Sequence, residues 1–222
     1  MIEIAIVLDM DGLMVDTEPL SRRAWDQVLA MYGHTLDHAI YNSIIGYRFD
    51  ESAATLIKTY DLPANIDTLA RQKETKLATI RASGIPVMPG LYELHAAINR
   101  RALPWSVATS SPRDHALEIL QQIGLQDSCR IIAAGDEVPR GKPAPDIYLL
   151  AAERLGISPA HCMALEDSSP GCRSALAAGM MVGAIPNRDT KTADFSAVDH
   201  IFPSLHDVVE RLDTLLVELA SR

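Results

Sequence analysis

Four short stretches of the sequence carry side chains that could do chemistry. The stretches are Asp9-Met10-Asp11-Gly12, Thr109-Ser110-Ser111-Pro112, Gly141-Lys142-Pro143 and Glu166-Asp167-Ser168. Any one of them alone is typical of an ordinary turn, loop or helix cap. Burying acids beside apolar residues costs free energy, however, unless another group there requires them. The ordered set of acids, hydroxyls and one ammonium group therefore predicts a reaction site.

The types and spacing of these residues predict chemistry on a phosphate ester. Asp9 is the candidate nucleophile, which would attack phosphorus and form an aspartyl-phosphate. Asp11, two residues further along an extended chain, is the candidate general acid and later the general base. The hydroxyls of Thr109 and Ser110 and the ammonium group of Lys142 are the candidate phosphate-binding groups.

The same acids are also candidate metal ligands. An anionic nucleophile that approaches an anionic phosphate needs a cation nearby, and hard oxygen ligands suit Mg²⁺. We expect carboxylates from Asp9 and Asp167 and the backbone carbonyl of Asp11 as ligands. Glu166 would bind the metal either directly or through a water molecule.

Three further residues are candidates for contact with substrate. Ser111 followed by Pro112 predicts a helix N-cap and first helical residue, with free N–H groups facing the phosphate. Arg113 lies next to this helix start, and Arg48 follows Gly46 at the end of another predicted helix. For Arg113 and Arg48, a solvated surface position is an equally good interpretation.

The elements that must position these groups form an alternating pattern. Apolar runs at 4–8, 106–109, 130–133, 162–165 and 181–185 predict strands, and the segments between the last four predict helices at 112–123, 145–155 and 170–178. A helix at 90–101 precedes the second strand, and an amphipathic helix beginning at Leu205 ends the chain. Alternating strands and helices with apolar strands predict an α/β fold with a buried parallel sheet. Ligands bind such sheets at the carboxyl ends of the strands, where the four stretches lie.

Residues 15–84 have a different pattern, which is helical throughout. Helical segments are predicted from Glu18 to Gly33, over 37–45, after Asp50 as a possible cap, and over 66–81. This pattern predicts an inserted four-helix-type cap domain at 15–84, and an α/β catalytic core made of 1–14 and 85–222.

Composition excludes several classes of function. The 222 residues are 48% hydrophobic and 22% charged, with a net charge of −9, which argues against a broad nucleic-acid surface. No apolar run approaches the roughly 20 residues that span a bilayer, and the N-terminus does not resemble a signal peptide. Three widely spaced cysteines are typical of buried thiols. We expect a cytoplasmic protein without a membrane or nucleic-acid partner, either monomeric or a small homo-oligomer.

The four stretches resemble the four motifs of the haloacid dehalogenase (HAD) superfamily over essentially the whole chain. The insertion between the first two motifs is similar to that of the subfamily with β-phosphoglucomutase, phosphoglycolate phosphatase and sugar-phosphate phosphatases. The resemblance implies a Rossmann-like core, dependence on Mg²⁺ and an aspartyl-phosphate intermediate. Asp11 argues against the dehalogenase branch, which lacks an acid at that position.

The resulting hypothesis is a Mg²⁺-dependent phosphatase that acts on a small phosphorylated metabolite, either a sugar or a polyol phosphate. One alternative is a β-phosphoglucomutase, although Ser21 stands where those mutases carry a histidine four residues after the threonine of the first linker. A serine cannot exchange protons near neutral pH. The alternative of another class is a non-catalytic HAD-like protein that binds a phosphometabolite or a partner.

Overall fold

The computed structural model describes residues 3–82 and 84–222, and its centre is one parallel β-sheet. The sheet has six strands in the order β3-β2-β1-β4-β5-β6, so that the first strand lies inside it. The strands are β1 (Ala5–Leu8), β2 (Trp105–Ala108), β3 (Ile132–Ala133), β4 (Cys162–Glu166), β5 (Met181–Ala184) and β6 (His200–Ile201). Because all neighbours pair in parallel, the carboxyl ends of β1, β2 and β4 share one edge.

Four helices lie between β1 and the rest of the core and pack on one another. They are α1 (Glu18–Ala30), α2 (His38–Asn42), α3 (Phe49–Tyr60) and α4 (Ile66–Arg81). Their apolar faces form a separate cluster that contains Trp25, Leu56 and Leu69. The side chains of Asp37 and Asn65 cap α2 and α4 by accepting backbone N–H bonds. The prediction of an inserted four-helix cap is confirmed; we call α1–α4 the cap.

Five helices cover the two faces of the sheet. They are α5 (Leu91–Arg100), α6 (Arg113–Gln122), α7 (Asp146–Leu155), α8 (Ser169–Ala177) and α9 (Leu205–Ala220). Alternate residues of β1 point to opposite faces, and Ile6 packs in the cluster that includes Leu94 while Val7 packs in the one that includes Tyr148. A strand that is buried on both faces explains the unbroken apolar run before Asp9.

The two chain segments that join the cap to the core run side by side. Val15 forms isolated β-bridges with Asp11 and Val87. The N–H of Asp16 donates to the carbonyl of Pro86 at 2.8 Å, and the N–H of Met88 donates to the carbonyl of Met14 at 3.0 Å. This pairing fixes where the chain passes from the core into the cap. The domain boundaries at 14/15 and 84/85 stay predictions.

The structure differs from the sequence-based expectations in one added strand and in the ends of several elements. Strand β3 is limited to Ile132–Ala133 rather than 130–133, and α2 ends at Asn42 rather than at residue 45. The two-residue strand β6 was not expected, because a pair of residues carries no alternating or apolar pattern. Helix α3 begins at Phe49 after Arg48, whose N–H donates to the Glu51 carboxylate at 3.3 Å, so Asp50 is not its cap. Helix α6 begins at Arg113 with Pro112 as the N-cap residue, one position later than expected. Within 3–82 and 84–222, no helix is long and apolar enough to cross a membrane.

Candidate active site

The four chemistry-bearing stretches meet at the carboxyl-end edge of the sheet. Asp9 follows β1, Thr109 follows β2, and Asp167 follows β4, whose last residue is Glu166. Backbone hydrogen bonds from Asp9 to Leu165 and from Thr109 to Ala133, both 3.0 Å, continue the strand pairing to this point. The loop after β3 and its 3-10 helix (Gly135–Glu137) brings Lys142 to the same edge. The acids, the Thr109 hydroxyl and the ammonium group therefore lie together, as the strand-end rule predicts.

Lys142 is buried between two of the acids. Its Nζ lies 2.5 Å from Asp9 Oδ1, 2.6 Å from Glu166 Oε1 and 3.1 Å from the carbonyl oxygen of Ala108. An ammonium group has three donors, and all three are used here. Burial acts to lower the pKa of Lys142, but the two carboxylates outweigh it and hold the pKa above its ordinary value. The two carboxylates therefore favour the charged form of Lys142.

Glu166 is fully occupied by groups of the protein. Besides Lys142, its Oε1 accepts from the Tyr148 hydroxyl at 2.9 Å. Its Oε2 accepts from the backbone N–H groups of Asp167 and Ser168 and from the Ser168 hydroxyl, each at 3.0 Å. Helix α8 passes so close that a Cβ on Gly171 would lie 1.6 Å from Oε1. The carboxylate thus holds Lys142 in place and has few lone pairs left for another ligand.

Three acids at this edge form a cluster that could hold a metal ion. Asp9, Glu166 and Asp167 offer carboxylate oxygens that all lie within 4.8 Å of one another. Burial raises the pKa of Asp9 and Asp167 well above the ordinary value, and the neighbouring acids raise both further. One ammonium group does not balance these charges. A divalent cation with oxygen ligands fits this donor set.

Asp167 is oriented by a residue that the sequence did not single out. Asn187 Nδ2 donates to Asp167 Oδ2 at 2.8 Å and to the carbonyl oxygen of Gly12 at 3.2 Å. Gly12 has φ +94°, and a Cβ there would lie 2.3 Å from the same Oδ2. Asn187 follows β5, so extending the strand-end rule to the fifth strand would have identified it.

Asp11 lies in an environment different from that of Asp9. Its Oδ1 accepts from the Thr17 hydroxyl at 2.8 Å, and its Oδ2 accepts from the hydroxyls of Ser111 at 2.9 Å and Thr109 at 3.1 Å. Burial acts to raise the pKa of Asp11, but the positive charge that His115 carries when protonated and these hydrogen bonds outweigh it and lower the pKa. Asp11 is therefore an ionised, oriented carboxylate.

The remaining predicted site residues divide into two groups. Ser110 and Ser111 line the cavity above the acids, and the Ser110 hydroxyl donates to the carbonyl of Gly46 in the cap at 3.2 Å. Arg48 and Arg113 do not line it. Arg48 Nη1 donates to the carbonyl of Val138 at 3.3 Å. A substrate contact by Arg48 stays a prediction that its position does not support.

Arg113 is likewise held away from the cavity. Its guanidinium donates to the carbonyl of Ile132 at 3.1 Å and contacts the Glu137 carboxylate. Its backbone N–H donates to Asp136 Oδ1 at 3.0 Å, so the first N–H of α6 is already used. The Ser111 hydroxyl, expected as a helix cap, instead binds Asp11. Substrate contacts by Ser111 and Arg113 also stay predictions.

A cavity of about 450 Å³ lies between the cap and the acids, a size typical of small-molecule sites. Its wall includes ionisable residues that the sequence did not single out: Glu18, Lys73, Glu74, Arg81 and His115. A signal for two of them existed, because Lys73 and Arg81 alternate with the buried Leu69 and Leu77 at intervals of four residues. Charges on the buried stripe of a helix indicate a polar cavity behind it.

Comparisons with known proteins identify the family of this chain. A family model described as haloacid dehalogenase-like hydrolase matches residues 5–179. Fructose-1-phosphate phosphatase YqaB of Escherichia coli (strain K12) is 33% identical over 79% of this chain and 92% of that protein. The chain spans 54% of the bifunctional riboflavin kinase/FMN phosphatase of Arabidopsis thaliana, to which it is 30% identical.

Two solved structures have the same fold. CbbY from Rhodobacter sphaeroides in complex with phosphate superposes with a TM-score of 0.85 at 31% identity, covering 94% of this chain and 96% of that one. β-Phosphoglucomutase from Clostridium difficile superposes with a TM-score of 0.87 over both whole chains at 22% identity, which shows the shared fold alone. The chain belongs to the haloacid dehalogenase-like hydrolase family, as its four motifs predicted.

Replacing Glu166 tests the buried ion-pair arrangement. Glu166→Ala removes one of the three acceptors of the Lys142 ammonium group and leaves two backbone N–H groups without their acceptor. Breaking a buried pair costs about 3–5 kcal/mol. We expect this loss in the free energy of unfolding measured with urea. Glu153→Ala, on the exposed surface of α7, is the control and should stay within about 0.5 kcal/mol of the unchanged protein. A loss of free energy of unfolding as small as that of the control would contradict the buried ion-pair arrangement.

Proposed function

We propose that this protein is a Mg²⁺-dependent phosphatase that hydrolyses the monophosphate ester of a sugar or polyol through an aspartyl-phosphate on Asp9. The observation that carries the proposal is the pair of acids after β1, one held by the Lys142 ammonium group and the other by three hydroxyls. Two neighbouring carboxylates in different environments can take different roles in one reaction.

Asp9 has the surroundings of a nucleophile. Burial favours its neutral form, but the charge of Lys142 opposes that effect and favours the carboxylate that can attack phosphorus. In the first step a bond forms between an Asp9 oxygen and phosphorus, and the ester bond to the leaving oxygen breaks. Lys142, which lies against Asp9, also offsets the negative charge of the arriving phosphate.

Asp11 has the surroundings of a proton carrier. It is ionised in the free site, and a phosphate dianion placed beside it would raise its pKa by repulsion between like charges. The protonated Asp11 then donates its proton to the leaving oxygen. In the second step the Asp11 carboxylate takes a proton from the water that attacks phosphorus, and the bond to Asp9 breaks. The hydroxyls of Thr17, Thr109 and Ser111 keep the carboxylate oriented in both steps.

The acid cluster supports a bound Mg²⁺ ion. Asp9 and Asp167 would hold it through carboxylate oxygens and Asp11 through its backbone carbonyl. Glu166, whose oxygens accept bonds from Lys142, Tyr148 and Ser168, would act through a water molecule. When bound, the ion supplies positive charge that reduces the repulsion between the nucleophile and the phosphate.

The substrate class is supported by the cavity and by the relatives. The cavity has room for a small metabolite beside the acids, and one relative is a fructose-1-phosphate phosphatase.

A cytoplasmic location also belongs to the proposal, with support from three buried cysteines that are all free thiols.

Asp9→Asn tests the nucleophile. An amide oxygen cannot form the phosphoenzyme, so we expect phosphate release to fall below a few per cent of that of the unchanged enzyme. The assay measures free phosphate from fructose 1-phosphate, a hexitol phosphate, phosphoglycolate and a nucleoside monophosphate, with Mg²⁺ and again with chelator. Asp199→Asn, distant from the site on the segment before β6, is the control. Substantial activity in Asp9→Asn would refute the role of Asp9, and no activity of the unchanged enzyme on any ester would favour a non-catalytic binding protein.

Asp167→Ala tests the metal site. Losing one ligand should raise the Mg²⁺ concentration needed for half-maximal activity, and excess Mg²⁺ should restore part of the rate. Asn187→Ala removes the hydrogen bond to Asp167 but keeps the carboxylate, so its shift should be smaller and in the same direction. A defect in Asp167→Ala that does not respond to Mg²⁺ would place this residue outside the metal site.

The mutase alternative predicts a different product. Ser21 lines the cavity where those mutases carry a histidine, so we expect water to reach the phosphoenzyme and free phosphate to be the main product. The test mixes the enzyme with β-glucose 1-phosphate and a trace of glucose 1,6-bisphosphate, and follows free phosphate and glucose 6-phosphate. Glucose 6-phosphate forming many times faster than phosphate would replace the phosphatase by the mutase.

A further inference from the structure

Two residues of the cavity wall carry polar atoms that have no partner. Among the described residues, Arg81 Nε, Arg81 Nη1 and His115 Nε2 are buried side-chain atoms without a hydrogen bond. Arg81 is only 3% exposed. By contrast, Lys142 and the acids beside it are bound to other groups of the protein. Buried donors without acceptors cost free energy, which a ligand that supplies acceptors would recover.

These two residues come from opposite sides of the cavity. Arg81 is the last residue of α4 in the cap, and His115 lies on α6 in the core. The Nη2 atom of Arg81 is paired with the Glu74 carboxylate and lies 3.7 Å from Glu118 on α6. Both side chains line the same cavity as Asp9 and Asp11. A molecule held by both would therefore touch the cap and the core at once.

We propose that Arg81 and His115 determine substrate specificity by binding hydroxyl oxygens on the uncharged leaving group of the phosphate ester. This inference rests on the proposed phosphatase function and names the part of the substrate that is not transferred. Arg81 would donate from Nε and Nη1 to oxygen acceptors, and His115 Nε2 would make a third hydrogen bond.

The charges on the wall favour hydroxyls over a second anionic group. The charge of Arg81 is already compensated by Glu74, so little net positive charge is left for another phosphate or carboxylate. Burial lowers the pKa of His115, which favours the neutral ring, while the nearby Asp11 carboxylate opposes this effect. Burial likewise lowers the pKa of Lys73 to about 8 and raises that of Glu18 to about 7, so these two residues add little net charge.

The chemistry of the imidazole also favours a hydroxyl group over an anion. The Nε2 atom of a neutral histidine is a donor in one tautomer and an acceptor in the other. A hydroxyl group can pair with either form, because it both donates and accepts. A phosphate or carboxylate can pair only with the donor form. A sugar or polyol chain therefore satisfies His115 whatever its tautomer.

The experiment compares two esters that share the transferred phosphate. One is the sugar or polyol monophosphate with the highest kcat/KM in the panel above, and the other is 4-nitrophenyl phosphate, which has no hydroxyl on its leaving group. For Arg81→Leu and for His115→Phe we expect kcat/KM for the sugar ester to fall about 10–100-fold, mainly through KM. The same variants should change kcat/KM for 4-nitrophenyl phosphate by less than about threefold.

Two further variants separate specificity from stability. Arg81→Lys keeps the charge beside Glu74 but loses donors, so it should show a smaller loss that is still confined to the sugar ester. Arg100→Leu, at the exposed end of α5, is the matched control and should change neither ester. If urea unfolding shows that Arg81→Leu has lost its fold, Arg81→Lys and His115→Phe give the answer.

The outcomes distinguish this proposal from the proposed function. Equal losses on both esters, or no loss on the sugar ester, would overturn the role of Arg81 and His115 while leaving the phosphatase intact. So would a selective loss on a bisphosphate substrate, because that would show that the pair binds an anion. No turnover of either ester by the unchanged enzyme would instead refute the proposed function itself.

Discussion

The buried ammonium group of Lys142 is the interaction on which the rest of the site depends. It lies between Asp9 and Glu166, two acids that the sheet brings together from neighbouring strands. Its charge opposes the burial and repulsion that raise the pKa of Asp9. Glu166 is in turn fixed by Tyr148 and by the backbone that enters α8. Glu166 and Tyr148, which do not line the cavity, thus hold the ammonium group that lies against Asp9.

Asp9 and Asp11 lie two residues apart at the same edge of the sheet, but their pKa values are shifted in opposite directions. Burial raises the pKa of Asp9, whereas hydroxyls and His115 lower that of Asp11. Close packing leaves no room for a side chain at Gly12 or Gly171, because a Cβ at either position would overlap a carboxylate. The cap closes the site from above, with contacts such as that between Ser110 and Gly46. The same buried contacts therefore stabilise the fold at this edge and position the carboxylates of the site.

The sequence was sufficient to predict the groups whose position follows from strand ends. Asp9, Thr109 and Asp167 each follow an apolar run directly, and parallel strands place such residues at one edge. The position of a side chain was harder to predict where it depends on tertiary contacts. Arg48 was a candidate substrate contact, but its guanidinium binds carbonyls of the core loop. Arg81 continues the buried stripe of α4, but its place in the cavity wall opposite α6 depends on two helices far apart in the chain.

The most direct test of the account is to trap the phosphoryl group on the enzyme. Asp11→Asn lacks the proposed general base, so with 4-nitrophenyl phosphate, whose leaving group needs no proton, the first step should outpace the second. We expect a burst of 4-nitrophenol that approaches one per active site, and an acid-quenched peptide that carries the phosphoryl group on Asp9. A phosphoryl group on any other residue, or steady turnover with neither burst nor label, would contradict the account.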